Sequence, residues 1–195
     1  MHATSYSVDS LKSLYGLHKK FIPHFELQSL IALAGYPELK NDFITFKYAS
    51  LKTCGQTVPA FFSVFKRYHR HYIININNTV AKSVLLNDAP FNAQVGVFAH
   101  ELAHVADYKN RNLSDLMKWA FNYMFKSKRA VCEKATDKVA IEHGFGQDLY
   151  EWIFFVLNNS NATDKYKAFK RHYYLQPQEI KSLLTHEEIK TGSGL

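Results

Sequence analysis

The stretch "VGVFAHELAHVADY", residues 95 to 108, constrains this chain more than any other. At about 100° per residue, Val95, Phe98, Ala99, Leu102, Val105 and Ala106 gather on one side of a helix, as a core face should. His100 and His104 fall on the other side, one turn apart, flanked by Ala93, Gly96 and Val97, with Glu101 at the edge of that second face. Two imidazoles at i and i+4 can share one zinc ion at about 2.0–2.1 Å. A glutamate directly after the first histidine reaches a metal-bound water more readily than the metal itself. That is the physical content of H-E-x-x-H. Random ordering of this composition would produce the pattern roughly once in 40 to 50 shuffles, so it carries weight only with a third ligand.

The extended signature H-E-x-x-H-x-x-G-x-x-H would need a glycine at position 107 and a histidine at position 110. The chain has Asp107 and Asn110 there, which excludes the metzincin arrangement. Asp107 reads instead as a capping or salt-bridge residue. Further on, "CEKATDKVA" places Glu133 and Asp137 one turn apart on one helical face. Glu133 can supply the third ligand. Asp137 can accept the free N–H of a ligating histidine, fixing its tautomer and raising its basicity. Cys132 turns away by about 100° and reads as a packing residue.

"HELAH" followed after 28 intervening residues by "EKATD" resembles the gluzincin metallopeptidases, whose pattern is H-E-x-x-H followed by E-x-x-x-D. "VGVFAHELAHVADY" and "EKATDKVAIEHGF" look like the HtpX and CAAX-prenyl-protease type. Those relatives carry transmembrane segments and this sequence shows none, so it resembles their catalytic core alone, a minimal gluzincin. The resemblance covers about residues 71 to 146. It implies His100, His104 and Glu133 as ligands of one Zn2+, Glu101 as general base and acid, and Asp137 as the residue behind a ligand. It also implies a zinc-bound water attacking a peptide carbonyl, with one further donor for the oxyanion. His143, His172, Tyr173 and Tyr174 are the candidates for that donor.

The rest of the chain supplies the frame. A helical start over about 1–40 contains Leu27, Leu30, Ile31 and Leu33 and ends at "GYP". A small twisted mixed sheet is expected over about 43–78. "FITFKYASLKT" sets Ile44, Phe46 and Tyr48 on one face, and "AFFSVFKR" and "HYIININN" are two further β-rich runs with "YHR" (68–70) as the turn between them. In "HYIININN", Tyr72, Ile74 and Ile76 face one way, Ile73 and Asn75 the other. Asparagine is a poor strand residue, which suits an edge, and an edge strand over a zincin cleft pairs with substrate backbone. The alternative is a plain structural hairpin.

After "NDAP" the period changes to 3.6, giving metal-site helices over about 92–145. "LSDLMKWAFNYMF" takes Ser114 as N-cap, with Asp115 in its first turn, and its apolar residues from Leu116 to Phe125 read as core, or otherwise as a lid or partner surface. Gly144 closes the helix that carries Glu133. A C-terminal helical part over about 147–190 includes a helix begun at Pro177, and "TGSGL" reads as a loose tail. The fold expected is therefore α+β and zincin-like, one domain over 1–195, with the sheet packed on the two metal-site helices.

Composition narrows the function classes. Two cysteines are too few for a disulfide framework and suit a reducing compartment. No signal-peptide pattern and no apolar run of membrane-spanning length appears, so a soluble, cytoplasmic protein is expected. The net charge of +7 permits nucleic acid or an anionic membrane surface as partner, but the basic residues are spread out without a nucleic-acid motif. Three functions follow: a zinc peptidase acting on peptide or protein substrates, more in the manner of an endopeptidase; a zinc-binding but latent scaffold whose cleft is blocked by basic residues near Lys165–Arg171; and a nucleic-acid-associated protease. An aminopeptidase is disfavoured, because no Gly-x-Met-Glu-Asn segment lies upstream.

Overall fold

The structure is a computed structural model that describes residues 7–66, 69–79 and 84–192, with side chains as far as 184. The element order begins with α1 (Val8–Tyr15), β1 (Lys19–Lys20), α2 (Glu26–Ala34), β2 (Phe43–Ala49), β3 (Gly55–Pro59) and β4 (His71–Asn77). Helices follow: α3 (Phe91–Asn110), α4 (Leu113–Tyr123), α5 (Lys126–Ala140), α6 (Gly146–Phe154), α7 (Asp164–Tyr173) and α8 (Pro177–Gly192). The fold is α+β with a small mixed sheet.

The sheet order is β1-β2-β4-β3. β2 runs parallel to both β1 and β4, with Ile44 opposite Tyr72 and Phe46 opposite Ile74, and β3 runs antiparallel to β4, with Thr57 opposite Ile74. This corrects the expected edge. The "HYIININN" strand lies inside the sheet, and Tyr72, Ile74, Asn75 and Ile76 are buried, with Ile73 partly so. Asn77 is tolerated there because its side chain is fully used: Oδ1 accepts from the Leu51 N–H at 2.9 Å and Nδ2 donates to Thr79 O at 2.9 Å. The free edge beside the helices is β3. Residues 60–66 of "AFFSVFKR" are not strand, Phe61–Ser63 forming a 3-10 turn, and Arg67 lies outside the described residues. Of the turn expected at 68–70, Tyr68 lies outside the described residues. Arg70 is buried, and its Nη1 donates to Tyr108 O and Arg111 O, both at 2.7 Å. A cation thus caps the carbonyl end of α3, where the helix dipole favours one.

α3 is the spine of the molecule. It packs against α2, α5, α6 and β3. Phe98 meets the rings of Phe25 and Phe46, both at 5.7 Å between centroids, which joins α2 and β2 to it. Tyr36 donates its hydroxyl to Ala99 O at 2.8 Å. Gly96 sits where α6 crosses: a Cβ there would lie 2.4 Å from Asp148 O, so only glycine lets the two backbones approach this closely. The sequence face carrying the histidines is buried as deeply as the apolar face, because α5 and β3 cover it.

Three local expectations change. Asn112, not Ser114, caps α4, accepting from the Asp115 N–H at 2.9 Å. α4 is not core: among the apolar residues from 116 to 125, only Leu116 is buried, while Met117, Phe121, Met124 and Phe125 are exposed. Tyr48 is exposed although Ile44 and Phe46 are buried. Gly144 does break the helical path after α5, with φ +90°, and the chain turns there into α6. α8 runs on to Gly192, and the remaining residues of the expected tail lie outside those described.

Candidate metal centre

α3 brings His100 and His104 to one face, and α5 crosses it to bring Glu133 and Asp137 opposite them. Glu133 Oε2 lies 3.2 Å from His100 Nε2 and 3.5 Å from His104 Nε2. The three residues are buried, and one ligand atom from each lies within 4.8 Å of the others, close enough to hold a metal ion.

The tautomers are set from behind. His100 Nδ1 is 2.8 Å from Asp137 Oδ1, and a carboxylate only accepts, so Nδ1 carries the proton. Asp137 Oδ2 accepts the Leu175 N–H at 2.9 Å, which fixes the carboxylate in turn. His104 Nδ1 is 3.4 Å from Thr136 Oγ1. That hydroxyl gives its own proton to Cys132 O at 3.0 Å, so it accepts from the ring. In the neutral rings both Nε2 lone pairs therefore point inward, at a carboxylate oxygen that also only accepts.

Glu133 is divided between two tasks. Oε1 accepts from the Tyr123 hydroxyl and lies 3.6 Å from Arg129 Nε. Oε2 is buried and makes no properly directed hydrogen bond. With His100 neutral, its Nε2 and Glu133 Oε2 meet as two acceptors at 3.2 Å, and burying them together is costly unless a proton or a metal cation lies between them. Burial opposes charge on His100, but Asp137 and Glu133 outweigh it and raise the ring to about 10. Burial likewise opposes ionisation of Glu133, but its contacts with His100 and His104 hold it well below the usual carboxylate range. The cage favours a positive charge at its centre. Two imidazoles and one carboxylate are a donor set that fits zinc.

Glu101 points from the same turn of α3 toward β3. Thr57 Oγ1 lies 2.7 Å from its Oε2 and 3.0 Å from its backbone oxygen, and its single proton serves one of them at a time. Gly55 leaves the room: a Cβ there would fall 2.4 Å from Glu101 Oε1. Asn77 N donates to Cys54 O and Ala60 N to His71 O. By the antiparallel alternation, Gly55, Thr57 and Pro59 then turn their backbone groups to the free edge.

Of the four oxyanion candidates, only Tyr174 reaches the centre, its ring 5.5 Å from that of His100. His143 stacks on Tyr36 and contacts Gly35 O, on the far side of α3. His172 is exposed and meets Tyr173 edge-on, while Tyr173 packs on Phe169 and Arg129. Burial keeps the Tyr174 phenol protonated far above neutrality, with Glu133 adding to the effect. None of Lys165–Arg171, the basic residues read as possible blockers, lines the open cleft. Lys170 is buried behind Tyr174, its Nζ 3.7 Å from the ring centroid. Asp107 pairs with Arg111 at 2.7 Å.

A cleft of about 1010 Å³ opens over His100, Glu101, His104 and Glu133, walled by β3 on one side and α4 on the other. Tyr123 and Thr136 were not singled out in the sequence. Thr136 shares the Glu133–Asp137 face and was recoverable from that spacing, whereas Tyr123 lies on another helix and was not. No family model, curated protein or solved structure matches this chain.

Proposed function

We propose that this protein is a zinc-dependent peptidase of the gluzincin type, acting as an endopeptidase. One observation carries the reading. His100 Nε2, His104 Nε2 and Glu133 Oε2 converge, each a lone-pair donor when the rings are neutral, while Asp137, Thr136 and Tyr123 occupy their other polar atoms. Zinc in that place supplies Lewis acidity toward water and toward a peptide carbonyl.

The chain's own residues do the rest. Glu101, steadied by Thr57, takes the proton of the attacking water and delivers it to the leaving amine. Tyr174 donates to the developing oxyanion. The free edge of β3 offers the Thr57 N–H and C=O to an extended peptide, and Pro59, which lacks an N–H, ends that row. The sequence carries no Gly-x-Met-Glu-Asn segment of the kind that holds a free amino terminus, which favours an internal segment of a chain over a terminus. We place the protein in the cytoplasm, a reading supported by free thiols at Cys54 and Cys132 and by the lack, among the described residues, of a helix long and apolar enough to cross a membrane.

Metal analysis of purified protein with a peptide-library assay tests this. Stoichiometric zinc, lost in His104→Ala and Glu133→Ala but kept in Glu101→Gln with hydrolysis abolished, is expected. Hydrolysis retained by Glu101→Gln would overturn the mechanism, and lack of zinc after reconstitution would overturn the site.

A further inference from the structure

Both walls of the cleft end in apolar side chains that nothing among the described residues covers. After β3, Phe61, Phe62 and Phe65 are 75, 89 and 68% exposed. Across the opening, α4 and the residue after it leave Met117, Phe121 and Met124 66, 59 and 81% exposed. Phe61, Phe65 and Met117 line the cleft, so the two groups share one mouth. Scattered exposed apolar residues are ordinary on a protein surface, but six large ones around one opening form a patch that calls for an occupant.

Charge says which. Residues 50–66 and 111–130, which carry these side chains, contain seven basic residues and a single acidic one, Asp115. Lys52, Lys66, Lys118, Lys126 and Lys128 are exposed there. A second copy of this chain is disfavoured, since pressing two such faces together sets lysine against lysine. A surface that is apolar within and anionic at its rim matches both features.

We propose that this face docks onto an anionic lipid bilayer. The phenylalanines and methionines enter the boundary between headgroups and acyl chains, and the lysines meet the headgroups. The mouth of the cleft then opens against the membrane, so a polypeptide reaching it arrives at the lipid surface. Binding needs neither metal nor Glu101, and stands apart from the peptidase reading.

Vesicle flotation of the full chain tests the proposal, using phosphatidylcholine vesicles with and without phosphatidylserine. Flotation with the phosphatidylserine vesicles is expected, weakened by salt and by roughly fivefold for each of Lys118→Gln, Lys126→Gln and Lys128→Gln. Phe61→Ser/Phe62→Ser/Phe65→Ser should lower it by about tenfold or more. Phe62→Ser/Met124→Ser, at the two most exposed positions, serves as the second variant should the first fold poorly. No flotation with either vesicle would overturn the proposal, as would flotation unchanged in the serine variants. A dimer in light scattering that those variants dissociate would also overturn it, assigning the face to a second copy.

Discussion

Asp137 holds the His100 Nδ1 proton through Oδ1 at 2.8 Å and the Leu175 N–H through Oδ2 at 2.9 Å. One carboxylate thus fixes a ligand of the centre and pins the turn between α7 and α8. Asp137→Asn keeps the volume but offers only one acceptor oxygen. We expect zinc affinity to fall by about 10- to 100-fold, read by competition with a chromophoric chelator. Unchanged affinity would show that His100 needs no partner behind it.

Gly55 makes a second expectation. In Gly55→Ala the new methyl meets Glu101 Oε1, and the carboxylate, as the flexible end of a side chain, is what moves. Zinc content should stay at the wild-type level while kcat falls on the order of a hundredfold, because the proposed base, Glu101, is misplaced. Equal loss of metal and activity would instead indicate a displaced α3.

Tyr174→Phe removes a hydroxyl and little else. If the hydroxyl is the oxyanion donor, as proposed, its loss should lower kcat by about 10²- to 10³-fold with KM nearly constant. His172→Ala, on the exposed side of α7, should leave both constants alone. A wild-type rate in Tyr174→Phe would send the search to another donor.

Asp148 governs a pH effect remote from the centre. Burial, with Glu151 nearby, pushes its carboxyl up from 3.8 to about 6. Between those values the folded state binds the proton more tightly than the unfolded state, so stability falls as pH rises through the window and the cost persists above it. Asp148→Asn should therefore melt higher than wild type at neutral pH, with the gap closing below about pH 4. A gap that does not depend on pH would mean the gain has another origin.

The cluster of His100, His104 and Glu133 was legible because its spacings are local. His100 and His104, and Glu133 and Asp137, each lie one turn apart, and a helix turns such intervals into shared faces whatever surrounds it. The sheet order was not legible, since strand pairing depends on partners far along the chain. Asn75 and Asn77 suggested an edge, but the interior position is made possible by bonds that Asn77 makes to Leu51 and Thr79. α4 misled for a related reason. Its apolar residues repeat as a buried face does, and only the positions of β3 and α5 reveal that this face looks outward. Tyr123 reaches the centre from α4 and Tyr174 from just past the end of α7, and no interval in the sequence singles out either one.

The bond from Leu175 to Asp137 also bears on the order of events during synthesis. The helix with both histidines leaves the ribosome first, then Glu133, but His100 gains its full support only when residues 174 and 175 pack beneath it. A nascent chain carrying the whole H-E-x-x-H segment is therefore still without a finished centre. Under the proposed peptidase function, cleavage by such a chain, of its neighbours on the polysome or of itself, is deferred until residues 174 and 175 have emerged.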